Sequence, residues 1–170
     1  MNSSTRVLLV SLLSVAVLAG CSKKVKEQPA AETPAPTTPT APVASDGRYG
    51  PEDLDTDACL RQRTVYFDFD QDALKPEFQA IVGCHAKYLR DRPSARITLQ
   101  GNADERGSRA YNQALGERRG NAVNSALQAA GGSASQLEVV SYGEERPVCT
   151  ESTESCWAQN RRVEIVYSAR

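Results

Sequence analysis

The sequence predicts an α/β (α+β) sandwich for residues 51–170: two main helices packed on a mixed four-stranded sheet, in the order β-α-β-α-β-β. Three observations lead there. Segments beginning near Val65, Ile97 and Val163 alternate apolar and polar side chains, as half-buried strands do. Two longer segments, ending near Arg90 and Ala130, repeat apolar residues at helical spacing. Both helical stripes need a surface to cover, and one face of a single sheet serves both.

Taken in order, Val65-Tyr66-Phe67-Asp68-Phe69-Asp70 is the first strand, alternating large apolar and acidic side chains from Tyr66 onward. Asp72 is expected to cap the next helix, with Pro76 in its first turn. Phe78, Val82, His85 and Leu89 carry that helix to about Arg90, short of Pro93, and His85 is expected to pack or make a local polar contact there. Ala95 to Gly101 is the second strand, with Ile97 and Leu99 at strand spacing. The longest helix covers 108–130, with Leu115, Val123, Ala126 and Leu127 as core candidates, and Gly131-Gly132 ends it. Leu137 to Ser141 and Arg162 to Tyr167 supply the last strands, with Val163, Ile165 and Tyr167 facing one way. The periodic pattern starts near Asp57, a length that suits one domain with one core.

The N-terminus is a different material. Arg6 precedes an apolar run from Val7 to Ala19, interrupted by Ser11 and Ser14, which is too short to span a bilayer comfortably and is built like an export signal. Its end, Leu18-Ala19-Gly20-Cys21, resembles a bacterial lipoprotein signal. That resemblance implies cleavage after residue 20 and lipidation of Cys21, palmitate included; an ordinary secretory signal with an incidental cysteine is the alternative. Acyl chains at roughly 0.8 kcal/mol per buried methylene hold a domain firmly at a membrane surface. In similar lipoproteins an aspartate after the lipidated cysteine signals inner-membrane retention, so Ser22 favours the outer membrane. Residues 21–50 read as a spacer: Lys23, Lys24 and Lys26, then a Pro/Ala/Thr-rich stretch from Pro29 to Pro42 with little to bury. Without residues 1–20, nineteen Lys and Arg face twenty-one Asp and Glu, a balance that argues against a nucleic-acid partner.

Beyond Cys21, four cysteines in an exported chain suggest two disulfides with three possible pairings. Cys149–Cys156 is favoured because it closes the loop before the last strand; Cys59–Cys84 then pins the N-terminal lead to the first helix. One histidine and no CxxC pair disfavour a metal site.

The sharpest local signal is Gly101-Asn102-Ala103-Asp104-Glu105-Arg106-Gly107-Ser108, continuing to Leu115-Gly116-Glu117-Arg118-Arg119. Gly101 and Gly107 are expected to permit a tight turn that exposes Asp104 and backbone N–H groups. Arg119 lies two to three turns into the helix, on the face of Leu115. A carboxylate and a guanidinium set for opposite charges recognise a zwitterion, the arginine fork suiting the carboxylate.

With Ser141-Tyr142-Gly143-Glu144 and Asn160-Arg161-Arg162-Val163-Glu164, these stretches make the region from Thr64 to Tyr167 resemble the OmpA-like peptidoglycan-binding domain; with Cys21 and the spacer, its lipid-anchored members match best. The resemblance implies noncovalent binding of meso-diaminopimelate in the peptidoglycan stem peptide. It assigns Asp104 and Arg119 as the main ligand contacts, Phe67, Asp68 and Phe69 to the same cleft, and Leu115 beside the arginine. Arg161 and Arg162 match an arginine pair before the last strand; the resemblance does not separate the ligand-facing member from the core-facing one, and Arg161 is taken as the ligand contact. Where the family commonly has histidine this chain has Asn102, which still exchanges hydrogen bonds but cannot become cationic. Binding is expected to survive that change. The resemblance further implies contact with TolB and other Tol or outer-membrane proteins, at an outer-membrane position facing the periplasm. The 48–57 lead and the cleft rim are candidate surfaces. No cofactor is expected, and no nucleophile-base-orienter set points to catalysis. Asp68 and Asp70, on one face of a strand, could mimic a glycosidase pair, but ligand contact or local hydrogen bonding is their more economical role. Replacing Asp104 or Arg119 is expected to abolish wall binding with the fold intact.

Overall fold

Four strands form the sheet: β1 (Thr64–Tyr66), β2 (Arg96–Asn102), β3 (Leu137–Gly143) and β4 (Arg162–Ala169), in a computed structural model that describes residues 47–170. The signal segment, Cys21, Ser22 and the spacer up to residue 46 lie outside the described residues. The spatial order is β1-β4-β2-β3, with β2 and β3 parallel and β4 antiparallel to both β1 and β2. Two main helices, α2 (Gln79–Asp91) and α3 (Arg109–Ala129), pack on this mixed sheet, as the periodicity predicts. Short helices α1 (Asp53–Thr56) and α4 (Glu154–Asn160) lie outside that pattern.

The core forms where the stripes meet. Val65, Ile97, Leu99, Val163 and Ile165 from the sheet face Val82, Ala86 and Leu89 of α2 and Val123 and Leu127 of α3. Leu54 and Leu60, from the lead, are also fully buried. The Cys59–Cys84 disulfide ties that lead to α2, and Cys149–Cys156 ties the loop after β3 to α4. Chain-entropy arguments give the first, with a sequence separation of 25 residues, roughly 3 kcal/mol of stabilisation.

Local differences from the sequence reading have physical causes. Strand β1 ends at Tyr66, although the Phe67 N–H still reaches the Arg161 carbonyl at 2.9 Å; the Gln71 N–H then bonds back to the Asp68 carbonyl, and Asp70 adopts φ 55°. That turn removes Phe69 from the sheet and leaves it exposed. Asp72 does not cap a helix: its Oδ2 accepts from Arg118 Nε at 2.8 Å, and α2 is entered through a 3₁₀ turn, Pro76–Phe78. Strands β3 and β4 each run two residues further than the alternation indicates.

Gly101 has a different task from the expected turn, because it lies within β2. A Cβ there would sit 1.9 Å from the Gly116 carbonyl oxygen of α3, and a Cβ at Gly116 2.4 Å from Ser141 Oγ. Helix α3 therefore lies with its backbone directly on β2 and β3, closer than side chains allow. At its far end the Gly131 and Gly132 N–H groups bond back to Gln128 and Leu127, a Schellman closure with Gly131 at φ 99°.

His85 is fully buried in α2. Its Nε2 lies 3.0 Å from the Gln62 carbonyl oxygen and so carries the proton, leaving Nδ1 to accept from the Tyr167 hydroxyl at 2.7 Å. Burial lowers its pKa from the ordinary 6.5, opposed by the Gln62 hydrogen bond. The unfolded chain therefore takes up this proton at higher pH than the folded one, and stability falls as pH drops below 6.5. Urea unfolding should show this decline from about pH 7 to about pH 5.5, and His85→Phe should flatten it, since no other histidine is present. Gly101→Ala should lower stability by about 3 kcal/mol or more, seen as a lower thermal midpoint, because the clash is with backbone.

Candidate functional site

The end of β2, the turn after β1 and the first half of α3 converge on one cleft of about 390 Å³. Its walls are Phe69, Asp70, Asp104, Arg106, Gly107, Tyr111, Leu115 and Arg119. The sequence dictates this convergence locally. Gly107, at φ 117°, turns the chain after β2, and the Ser108 hydroxyl accepts from the Tyr111 N–H to start α3. The turn at Asp70 is closed across the cleft by a hydrogen bond from the Tyr111 hydroxyl to Asp70 Oδ1.

Asp104 is only 4% exposed and its carboxylate is heavily engaged. Oδ1 accepts from the Arg106 backbone N–H at 3.1 Å and from Arg106 Nε at 3.3 Å. Oδ2 accepts from Arg106 Nη2 at 2.7 Å and Arg161 Nη1 at 3.2 Å. Burial raises the carboxyl pKa, but the Arg106 and Arg161 donors outweigh it and hold Asp104 below its ordinary value, hence ionised.

Arg119 is fully buried. Its Nε donates to the Gln71 carbonyl at 2.8 Å, Nη1 to the Asn102 carbonyl at 2.9 Å and Nη2 to the Asp68 carbonyl at 3.1 Å. The Phe67 ring lies 5.3 Å from the guanidinium carbon. Burial pushes its pKa down to about 10, so it stays cationic at neutral pH. Two of its five N–H groups remain beyond these three bonds.

Of the residues singled out from sequence, Asp104, Arg119, Phe69 and Leu115 line the cleft. Phe67, Asp68, Asn102 and Arg161 do not. Phe67 is a core side chain under the Arg119 guanidinium. Asp68 points its carboxylate to Lys75 at 3.2 Å and contributes its carbonyl to Arg119. Asn102 is buried, its Nδ2 bonded to the Gln100 carbonyl, and it too serves Arg119 through its carbonyl. Arg161 stands behind Asp104, with Nε on the Phe67 carbonyl and Nη2 on Glu154 at 2.7 Å. Arg162 turns to Glu164 of the same strand instead.

Arg106, Gly107 and Tyr111 line the cleft without having been assigned to it, and Asp70 lines it as well. Arg106 and Gly107 lie inside the quoted motif; Tyr111, one turn into α3 on the side of Leu115, has the helical spacing that could have revealed it. Asp70, read from sequence with Asp68 as a ligand-contact or hydrogen-bonding candidate, enters the cleft through the turn that ends β1. Among the described residues no cluster of His, Cys, Asp and Glu is arranged to hold a metal ion, and no helix is long and apolar enough to cross a membrane.

Residues 66–161 match the OmpA family. Over 154 residues the chain is 46% identical to the peptidoglycan-associated lipoprotein of Pseudomonas putida, covering 90% of this chain and 91% of that one. The crystal structure of the peptidoglycan-associated lipoprotein from Burkholderia pseudomallei aligns with a TM-score of 0.66 at 45% identity, over 68% of this chain and 98% of that one. The C-terminal domain of Helicobacter pylori MotB, at 24% identity and a TM-score of 0.58 over 63% of this chain and 84% of that one, shares the fold.

The burial of Arg119 corrects the expectation that its replacement spares the fold. Arg119→Met should cost about 3 kcal/mol or more in urea unfolding, because the Gln71, Asn102 and Asp68 carbonyls lose a charged donor together, Asp68 keeping only the Gln71 N–H. Arg119→Lys should recover little, since a point ammonium cannot match the planar fork.

Proposed function

The chain belongs to the OmpA family, with the peptidoglycan-associated lipoproteins among its relatives, and on that premise we propose that it binds peptidoglycan noncovalently and tethers the outer membrane to the cell wall. The family is structural and non-catalytic. The ligand end we assign is the zwitterionic side-chain terminus of meso-diaminopimelate, an ammonium and a carboxylate on one carbon. The observation that carries this reading is the cleft itself, where the Asp104 carboxylate and the Arg119 guanidinium share one walled volume.

In this reading the ammonium takes the charge of Asp104 at Oδ1, whose contacts at 3.1 and 3.3 Å are the longer set, while Arg106 keeps its 2.7 Å bond to Oδ2. A carboxylate has about four acceptor positions, so a new donor must replace one of the present four. The ligand carboxylate is drawn to the Arg119 side of the cleft by the charge of that buried guanidinium, and Phe69 and Leu115 cover the methylenes between. Phe67, Asp68, Asn102 and Arg161 act behind this contact, by holding Arg119 and Asp104. Asn102 can stand where the family commonly has histidine because its contribution to Arg119 is a backbone carbonyl.

Cys21 supplies the lipid anchor in this proposal, residues 22–50 the reach, and residues 51–170 the wall-binding domain. A contact with TolB belongs to the same reading and is separable from wall binding by a pull-down with a folded Asp104 variant. The central test is sedimentation with purified sacculi. Binding should be strong to diaminopimelate-type wall and at least about tenfold weaker to lysine-type wall, which lacks the second carboxylate. Asp104→Ala should lose most binding with its circular dichroism retained. Equal binding to both wall types, or unimpaired binding by Asp104→Ala, overturns the assignment.

A further inference from the structure

Arg106 is held in an unusual way for a side chain at the rim of a cleft. Its guanidinium lies between two aromatic rings, 4.0 Å from the Phe69 centroid and 4.1 Å from that of Trp157. Two carboxylates hold it as well, Asp104 at 2.7 Å and Glu154 at 3.4 Å. An arginine in solvent samples many rotamers, whereas a planar cation between two π faces keeps one pose.

One wall of this sandwich comes from a part of the chain that the cleft does not otherwise use. Trp157 and Glu154 lie on α4, and Cys149–Cys156 closes the turn that leads into it. The Trp157 indole N–H donates to Glu105 at 3.0 Å, and Ser152, inside the closed turn, donates to the same carboxylate oxygen at 2.7 Å. Glu154 also bonds Arg161, the second donor to Asp104. The disulfide-closed turn thus reaches both cations that orient Asp104.

We propose that Trp157, carried on the turn closed by Cys149–Cys156, is a positioning residue for the wall-binding cleft: its ring clamps Arg106 and so fixes the Asp104 carboxylate for the incoming ammonium. The proposal rests on the function assigned above. Without the clamp Arg106 gains freedom to follow Asp104 across the cleft mouth, and the carboxylate loses its fixed orientation. Trp157 touches Arg106 and Glu105, so it acts through them.

The test compares full-length variants in detergent for binding to diaminopimelate-type sacculi, with thermal unfolding as the check on the fold. Trp157→Leu fills much of the volume but offers no π face, and should bind about tenfold more weakly. Trp157→Phe keeps a face for the guanidinium and should return to within about threefold of the parent. Cys149→Ser/Cys156→Ser should weaken binding about threefold or more while the thermal transition stays cooperative. Trp157 is the sole tryptophan, so its fluorescence should also shift when a soluble diaminopimelate stem peptide is titrated into the parent chain. Parent-like binding by Trp157→Leu, or equal loss in the Leu and Phe variants, overturns the positioning role. Parent-like binding by the Cys149→Ser/Cys156→Ser chain overturns the part given to the disulfide. Asp104→Ala runs alongside: if it too binds like the parent, the assigned function has failed rather than the clamp alone.

Discussion

A guanidinium without solvent contact joins the three segments that make the cleft. Arg119 rises from α3 and donates to carbonyls at Asp68 and Gln71, in the turn after β1, and at Asn102, the last residue of β2. Those carbonyls lie at the last residue of β2 and in the turn that follows β1. A buried carbonyl without a donor costs about 1–3 kcal/mol, so one planar cation with several fixed donors suits the place better than separate side chains. The turn that exposes Phe69 and Asp70, and the strand end that presents Asp104, take their relative positions from this contact.

The approach of α3 makes that reach possible. With no Cβ at Gly101 or Gly116, the helix backbone rests on the sheet, and Arg119, three residues beyond Gly116, extends under the β1 turn. A wider separation would withdraw the guanidinium from at least one carbonyl. Packing in the core and geometry in the cleft are therefore one constraint, and a small change at Gly101 is felt at both.

Charge at the cleft is ordered in layers. Arg119 is bonded to neutral carbonyls, which leaves its positive charge uncancelled by direct contact. Asp104 has two guanidinium partners, and Glu154 ties both of those together from outside. Low local dielectric strengthens the contacts of the buried Asp104 carboxylate and penalises any left unmade, whereas those of Glu154, 62% exposed, are screened by water. The cleft is accordingly stiff around Asp104, while the Phe69 ring that stacks on Arg106, at 54% exposure, and Tyr111, at 42%, stand open to solvent.

Periodicity and local motifs determined much of this. Alternation at Val65, Ile97 and Val163, and helical spacing in α2 and α3, are consequences of burying one face, so they are written into the chain residue by residue. The Asp104 motif was legible for the same reason, since an unusual cluster of Gly, Asp and Arg lies within a few positions. The face shared with Leu115 pointed to an ordered Arg119, but tertiary structure alone decided that it is a fully buried hub bonded to three carbonyls. It also decided that Gly101 admits a helix rather than a turn, and that Trp157 reaches Arg106 from fifty-one positions away. Each of these depends on a distance between segments remote in sequence. Local propensity carries no record of such distances, which exist only once α3 has settled onto the sheet and β4 has brought α4 to the mouth of the cleft.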